Sequence, residues 1–299
     1  MRIGFIGAGR VGYTMGKFLK QHDYEVSGYY SRTNEHAKDA AAFTDTQYFE
    51  DVRELKKHSD AIILTVSDSA IKKVFDEIKN YPEIAEKTIC HTSGSVSSLV
   101  FDEAPVQVYG YSIHPIYAIS DKYASYKNFS NAFITIEGHE KHLSELVSIF
   151  SHAGIKTGTL KTEDKSKYHA SCVMASNLVC GIYGAAIKMM ESCGFDFDTS
   201  NEMLIGLFRD NAMGIADKGL INQLTGPIDR NDVVTVMSHL KTIPEEMKPL
   251  YVEASKYALE IAKEKNKEND YSEMALLLES ALKREEGGGW TYEKHKRYI

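Results

Sequence analysis

Lys165, His169 and Asn177 stand at spacings of four and eight in a stretch that is otherwise largely apolar. If that stretch is helical, the three side chains lie broadly on one side of it, successive turns apart. A polar line on an apolar helix needs partners or a cavity. This one carries what reduction of a carbonyl requires: a proton donor for the developing alkoxide, and neutral donors that hold the substrate. His169 and Lys165 are both candidates for the proton. Lys165 is expected at the helix start, open to solvent; His169 lies deeper among apolar residues, where the alternative role is that of a satisfied core histidine. His114 is a further candidate, because Tyr111-Ser112-Ile113-His114-Pro115 is expected to follow a strand, with the proline fixing a turn behind the imidazole. Arg230, within Leu224-Thr225-Gly226-Pro227-Ile228-Asp229-Arg230-Asn231-Asp232, suits a substrate carboxylate. The alternative is a helix-start motif in which Asp229 or Asp232 pairs with it.

A reduction needs a hydride source, and the N-terminus offers a place for one. A short apolar strand runs into Gly7-Ala8-Gly9-Arg10-Val11-Gly12 and then into a helix. In that context Gly7 permits the tight turn, Gly9 lets the backbone approach a pyrophosphate, and Gly12 brings the helix close to the strand. The phosphates would rest on the helix N-terminus, beside Arg10 and Val11. The next strand ends in Ser31-Arg32-Thr33, where a site for NAD would place a carboxylate against the ribose 2′-hydroxyl. A guanidinium flanked by two hydroxyls suits a 2′-phosphate instead, so the cofactor expected is NADP(H). The alternative is that Arg32 is solvated and Thr33 is only a helix N-cap. Val66-Ser67, after the apolar run 61–66, and Ser93-Gly94, in Cys90-His91-Thr92-Ser93-Gly94-Ser95, complete the expected cofactor contacts. For the latter, a turn capping a helix is the competing reading.

The elements that must position these residues change character along the chain. Strand-like and helix-like stretches alternate up to about residue 160, with strands at 2–6, 25–30, 61–66, 87–91, 107–112, 131–136 and 155–159. That is the pattern of a doubly wound, mostly parallel Rossmann sheet. Beyond it only helices are expected, near 163–192, 198–217, 230–240, 244–264 and 270–284, so the predicted domains are 1–160, for the dinucleotide, and 161–299, all-α, for substrate and dimerisation. The segment 284–289 should break the last helix and leave Trp290 in a terminal extension. Ala175, Gly181, Gly184, Ala185 and Ala186 allow close helix contact, within the subunit or across a homodimer.

Composition narrows the partners. The 299 residues are 43% hydrophobic and carry a formal net charge of −7, without the dense basic stripe that tracks nucleic-acid phosphates or a membrane surface. Cys90, Cys172, Cys180 and Cys193 show neither C-x-x-C nor metal-ligand spacing, and the chain begins directly with a strand; no metal is expected, and the setting expected is a reducing cytoplasm. From His169 to Ile187 no formal charge occurs apart from a possible histidinium, a span of nearly membrane length. Its His, Ser and Asn residues and charged flanks favour burial against protein rather than lipid.

Taken together, these stretches resemble the Rossmann-like proteins with a C-terminal DUF2520 domain, distant relatives of the 6-phosphogluconate and β-hydroxyacid dehydrogenases. The resemblance covers nearly the whole chain. It rests on the glycine motif, Val66-Ser67-Asp68-Ser69-Ala70-Ile71, Ser93-Gly94-Ser95, His114-Pro115, Tyr168-His169-Ala170 with Asn177, and the 224–232 stretch with His239-Leu240. The family often has Arg-Gly-Asp where this chain has Arg230-Asn231-Asp232, and asparagine tolerates the left-handed backbone such a turn needs. Within the family, the alternative (PanG-type) ketopantoate reductases look nearest, which implies NADPH-dependent reduction of 2-dehydropantoate to pantoate. The β-hydroxyacid dehydrogenases place a lysine and an asparagine one helical turn apart; here Asn177 follows Lys165 by twelve residues and His169 holds the one-turn position. Other readings are reduction of an imine or a cyclic acid on the same fold, or a regulator that binds NADPH without turnover.

Overall fold

The computed structural model describes residues 1–281. The expected break at 284–289 and Trp290 lie outside the described residues. The described chain divides into two compact units, Met1–Met174 and a second that begins at Ala175.

The first unit is an eight-stranded sheet: β1 (Ile3–Ile6), β2 (Val26–Tyr30), β3 (Gln47–Tyr48), β4 (Ala61–Leu64), β5 (Thr88–His91), β6 (Tyr109–Ile116), β7 (Phe133–Gly138) and β8 (Lys156–Thr159). Their order is β3-β2-β1-β4-β5-β6-β7-β8. Pairing is parallel from β3 to β6; β7 is antiparallel to β6, and β8 parallel to β7. Between the strands run α1 (Arg10–Gln21), α2 (Asn34–Thr44), α3 (Val52–Lys57), α4 (Asp68–Ile78) and α5 (Leu143–His152), and α6 (Lys165–Met174) closes the unit. Successive strand residues alternate between two apolar clusters: Phe5, Ile63 and Cys90 belong to one, Ile6, Ile62, Leu64 and Ile89 to the other. Both faces are therefore covered, which is why these strands read as continuous apolar runs rather than alternating ones. The strand order reverses between β1 and β4, and in open sheets of this kind ligands gather outside the carboxyl ends of the strands at that reversal.

Two local expectations are corrected. His114 and Pro115 do not form a turn: they lie inside β6, opposite Thr135 and Ile134 of β7. Beyond Ser112 the strand no longer pairs with β5, and proline is tolerated in a strand that is paired on one side only. The single helix expected over 163–192 is two helices, α6 and α7 (Asn177–Ser192), separated at Ala175-Ser176. Ser176, with φ −129° and ψ −81°, is outside helical geometry. The two compact units meet in sequence at this break, whereas the domains expected were 1–160 and 161–299; α6 is held to the sheet through the bond of its buried Lys165 to Ser112.

The second unit continues with α8 (Phe197–Lys218), α9 (Leu220–Gln223), α10 (Val233–Thr242), α11 (Lys248–Lys265) and α12 (Ser272–Ser280). Its core is made by α10, α11 and α12, through Val236, Leu240, Val252, Leu259, Met274 and Leu278. By contrast α7 buries only Ile187, and α8 only Ser200 and Gly214. Leu178, Ile182, Met203, Leu207 and Met213 are exposed on these two helices. Side chains added at Gly181 or Gly184 of α7, or at Gly206 of α8, would meet nothing within 4 Å, so among the described residues nothing packs closely against these glycines.

Within Thr162–Ser192 an 18-residue window has a mean hydropathy of 1.6, enough by length and composition to cross a membrane, and only 6% of that window is buried, against the burial by protein expected of it. The break at Ala175-Ser176 interrupts that run.

Candidate active site

The cradle at the β1/β4 reversal is shaped by glycines that have no room for side chains. Gly7 has φ +107°, and a Cβ there would lie 2.8 Å from the Thr65 carbonyl oxygen. A Cβ at Gly12 would come within 2.7 Å of Thr65 Oγ1 and 2.8 Å of the Gly7 carbonyl oxygen. Thr65 Oγ1 itself donates to that carbonyl at 2.8 Å, tying the turn to the end of β4. Gly9 is the extended N-cap residue of α1, which has no side-chain cap and no acidic residue in its first turn. Free amides at a helix start, with nothing anionic beside them, fit a pyrophosphate. Arg10 and Val11 open that helix. Val66 packs against the Gly7 turn, and Ser67 is the N-cap residue of α4 without using its hydroxyl to cap it.

At the end of β2, Arg32 and Thr33 are exposed and Ser31 is half-buried. Thr33 occupies the N-cap position of α2 but makes no side-chain capping bond, so its hydroxyl is not spent on the helix. The three donors suit a 2′-phosphate and no carboxylate competes within Ser31-Arg32-Thr33.

The polar residues gather where β6, β7 and α6 meet. Register places Ser112 opposite Glu137 and His114 opposite Thr135, a polar face made by alternate residues of two otherwise apolar strands. α6 lies over this face. Lys165, expected at a solvated helix start, is instead 2% exposed, and its Nζ donates to Ser112 Oγ. Ser112 Oγ in turn donates to the Ser93 carbonyl at 2.9 Å. Burial pulls the Lys165 ammonium below its usual pKa, and the negative charges of Glu137 and Asp68 work against that shift. Glu137 is itself buried, and it accepts from Ser98 Oγ at 2.6 Å and Thr162 Oγ1 at 2.8 Å.

One turn further on, His169 is half-buried and faces His114, ring centroids 6.2 Å apart. Gly94 lies beside both rings: a Cβ on it would be 2.6 Å from His169 Cδ2 and 2.8 Å from His114 Nε2. Only glycine leaves space there. His114 Nδ1 is 2.6 Å from the Tyr168 hydroxyl, which accepts from Thr135 Oγ1 at 2.8 Å. Burial first, then the neighbouring Lys165 and His169 charges, push the His114 pKa down to about 4. Ser93 serves the loop, since its Oγ accepts from the amides of Ser95 and Val96.

Arg230 and Asn177 belong to the second unit. Asp229 is taken by Lys265, at 2.9 Å, and by Asn266; Asp232 caps α10 through Thr235. Neither forms the ion pair with Arg230 that the sequence allowed, and Arg230 is exposed. Asn231 has φ +55°, the left-handed turn expected of it. Asn177 opens α7 and does not continue a line along α6.

Sequence reasoning did not single out Ser112, Thr135, Glu137 and Tyr168. A signal existed: polar residues two apart in Ser112-Ile113-His114 and Thr135-Ile136-Glu137 mark one strand face each.

Comparisons agree with this architecture. Residues 2–90 match the family described as NADP oxidoreductase coenzyme F420-dependent, and residues 132–258 match the domain of unknown function DUF2520. No curated protein matches the sequence. Protein TM1727 from Thermotoga maritima is 24% identical, with 88% of this chain and 99% of that one covered and a TM-score of 0.69. Protein BF3122 from Bacteroides fragilis is 22% identical, covering 87% and 98%, also with a TM-score of 0.69. A Plasmodium falciparum pyrroline carboxylate reductase solved with NADP bound is 16% identical, covering 89% and 98%, with a TM-score of 0.54. At these identities the solved structures speak for the fold. The two family matches together show the order of the chain: a stretch matching the NADP oxidoreductase Rossmann domain, followed by a stretch matching DUF2520.

Proposed function

We propose that the protein reduces a small 2-oxo acid with NADPH, and that 2-dehydropantoate (ketopantoate) is the first candidate, giving pantoate for pantothenate synthesis. The observation that carries the reading is the buried Lys165 ammonium, bonded to Ser112 in the same unit as the dinucleotide cradle and close to two imidazoles beside Gly94. Bound NADPH would supply a hydride to the carbonyl carbon.

The chain's own residues divide the remaining tasks. Gly7, Gly9, Arg10, Val11 and Gly12 hold the pyrophosphate, and Ser31, Arg32 and Thr33 hold the 2′-phosphate. Lys165 keeps a proton on Nζ in a desolvated setting, which favours its release to a developing alkoxide. His169 is the alternative donor, and His114 and Gly94 shape the space for the reacting carbonyl. Arg230 and Asn177 are assigned by chemistry alone to the substrate carboxylate and to a neutral hydrogen bond.

A panel of 2-oxo acids and cyclic imines, followed by loss of NADPH absorbance, tests the reading. Turnover of 2-oxo acids, with ketopantoate among the best, is expected. NADPH binding without turnover of any 2-oxo acid would favour a regulator, and faster turnover of imines would move the substrate class.

We also propose a homodimer formed through the second unit. α7 and α8 expose more apolar surface than a monomer normally leaves in water, and the glycines of α7 are open to a partner helix. Exposed thiols at Cys180 and Cys193 suit the reducing cytoplasm proposed as its location.

A further inference from the structure

A neutral imidazole with one nitrogen committed to a partner has only one way to use the other, and His114 is in that position. Its Nδ1 is 2.6 Å from the Tyr168 hydroxyl. The tyrosine oxygen already accepts from Thr135 Oγ1 at 2.8 Å, and its single proton remains to be placed. Cys172, one turn along α6, also interacts with that hydroxyl, but a thiol is a much weaker acceptor than an imidazole nitrogen. The phenol proton therefore goes to His114 Nδ1, and the ring proton to Nε2. That nitrogen lies at the Gly94 gap, 2.8 Å from where a side chain would start.

Resting on the reductase reading above, we propose that Tyr168, held by Thr135, is a positioning residue that fixes His114 as its Nε2–H tautomer and so presents a neutral N–H donor to the carbonyl oxygen of the 2-oxo acid. A neutral donor polarises the carbonyl without adding a cation next to Lys165. It also leaves proton delivery to Lys165 or His169, so the two tasks fall to different groups. The groups facing His114 all bear on its charge: Lys165, His169 and Tyr168 from α6, Asp68 from the start of α4 and His91 from β5. His91 shows the same arrangement in a structural role, accepting from the Ser93 amide at Nδ1 and facing the Ser97 carbonyl with Nε2.

The test is long-range proton–nitrogen NMR of the full chain labelled at histidine nitrogen, with His114 assigned by its loss in His114→Gln. The expected spectrum has a protonated Nε2, an accepting Nδ1 and no titration of His114 between pH 8 and about 5, because burial lowers its pKa to about 4. Tyr168→Phe should give a mixture of tautomers and lower kcat about a hundredfold, with KM and NADPH affinity little changed. Thr135→Val should keep the Nε2–H form but weaken the lock, with a smaller loss of kcat. An Nδ1–H tautomer in the unmodified protein would overturn the proposal, and so would a Tyr168→Phe spectrum identical to it. The unmodified protein alone decides the tautomer if Tyr168→Phe fails to fold. Absence of turnover on any 2-oxo acid would remove the reductase reading while the spectrum still decided this one.

Discussion

At the scale of single residues, charge and burial decide roles. Arg32 has no ion pair among the described residues, so its guanidinium is available to a 2′-phosphate. Arg32→Ala should erase most of a preference for NADPH over NADH of at least about tenfold, or about 1.4 kcal/mol. Equal dissociation constants for the two cofactors in the unmodified protein would reject the assignment. The neutral histidines carry a pH dependence with a definite sign. Burial lowers His91 and His114 from the ordinary 6.5 to about 4, so the unfolded chain binds protons first as pH falls. Their contribution to stability is complete above about pH 6.5 and is lost as pH falls towards 4. Tm should drop between pH 7 and 5, and a His91→Asn, His114→Gln double variant should drop less; equal slopes would contradict this. Although Thr65, which crowds Gly7 and Gly12, comes from the end of β4, the tight turn at Gly7 and the helix start that follows were legible in the sequence because the glycine motif is continuous. The burial of Lys165 was not, because Ser112 and Glu137, which surround it, come from strands far away in sequence and meet only through the β6/β7 register.

At the scale of elements, α1 and β4 must approach to a distance only glycine allows. Gly12→Ala would press a methyl against Thr65 Oγ1 and the Gly7 carbonyl, the latter being backbone that cannot swing aside. A loss of about 1 to 3 kcal/mol of stability is expected, with weaker NADPH binding. Denaturant midpoints and cofactor titration measure both, and an unchanged NADPH affinity would place the pyrophosphate elsewhere. Strand and helix succession could be read from apolar runs, since buried parallel strands are apolar on both faces. Two features could not. The strand character of His114-Pro115 depends on β6 outrunning β5, and the break between α6 and α7 sits in a stretch whose hydropathy is continuous. Ser176-Asn177 was a local hint, as both types prefer helix ends to helix interiors.

At the scale of the whole molecule, the sheet unit carries the dinucleotide cradle, and α7 and α8 of the helical unit expose apolar side chains. Light scattering at micromolar concentration should report a dimer, and charged substitutions at Leu178 and Leu207 should shift it towards monomer; a monomer in the unmodified protein would remove the idea. On the proposed reading, the Lys165 cluster makes this chain a reductase and not a nucleotide sensor. The direct measurement is single-turnover oxidation of bound NADPH by ketopantoate, comparing the unmodified protein with Lys165→Ala at matched cofactor saturation. Rapid oxidation is expected in the first, and in the second a loss of about 10²- to 10⁴-fold, with the NADPH dissociation constant nearly unchanged. Bound NADPH that no 2-oxo acid oxidises, or equal rates in the two proteins, would contradict it.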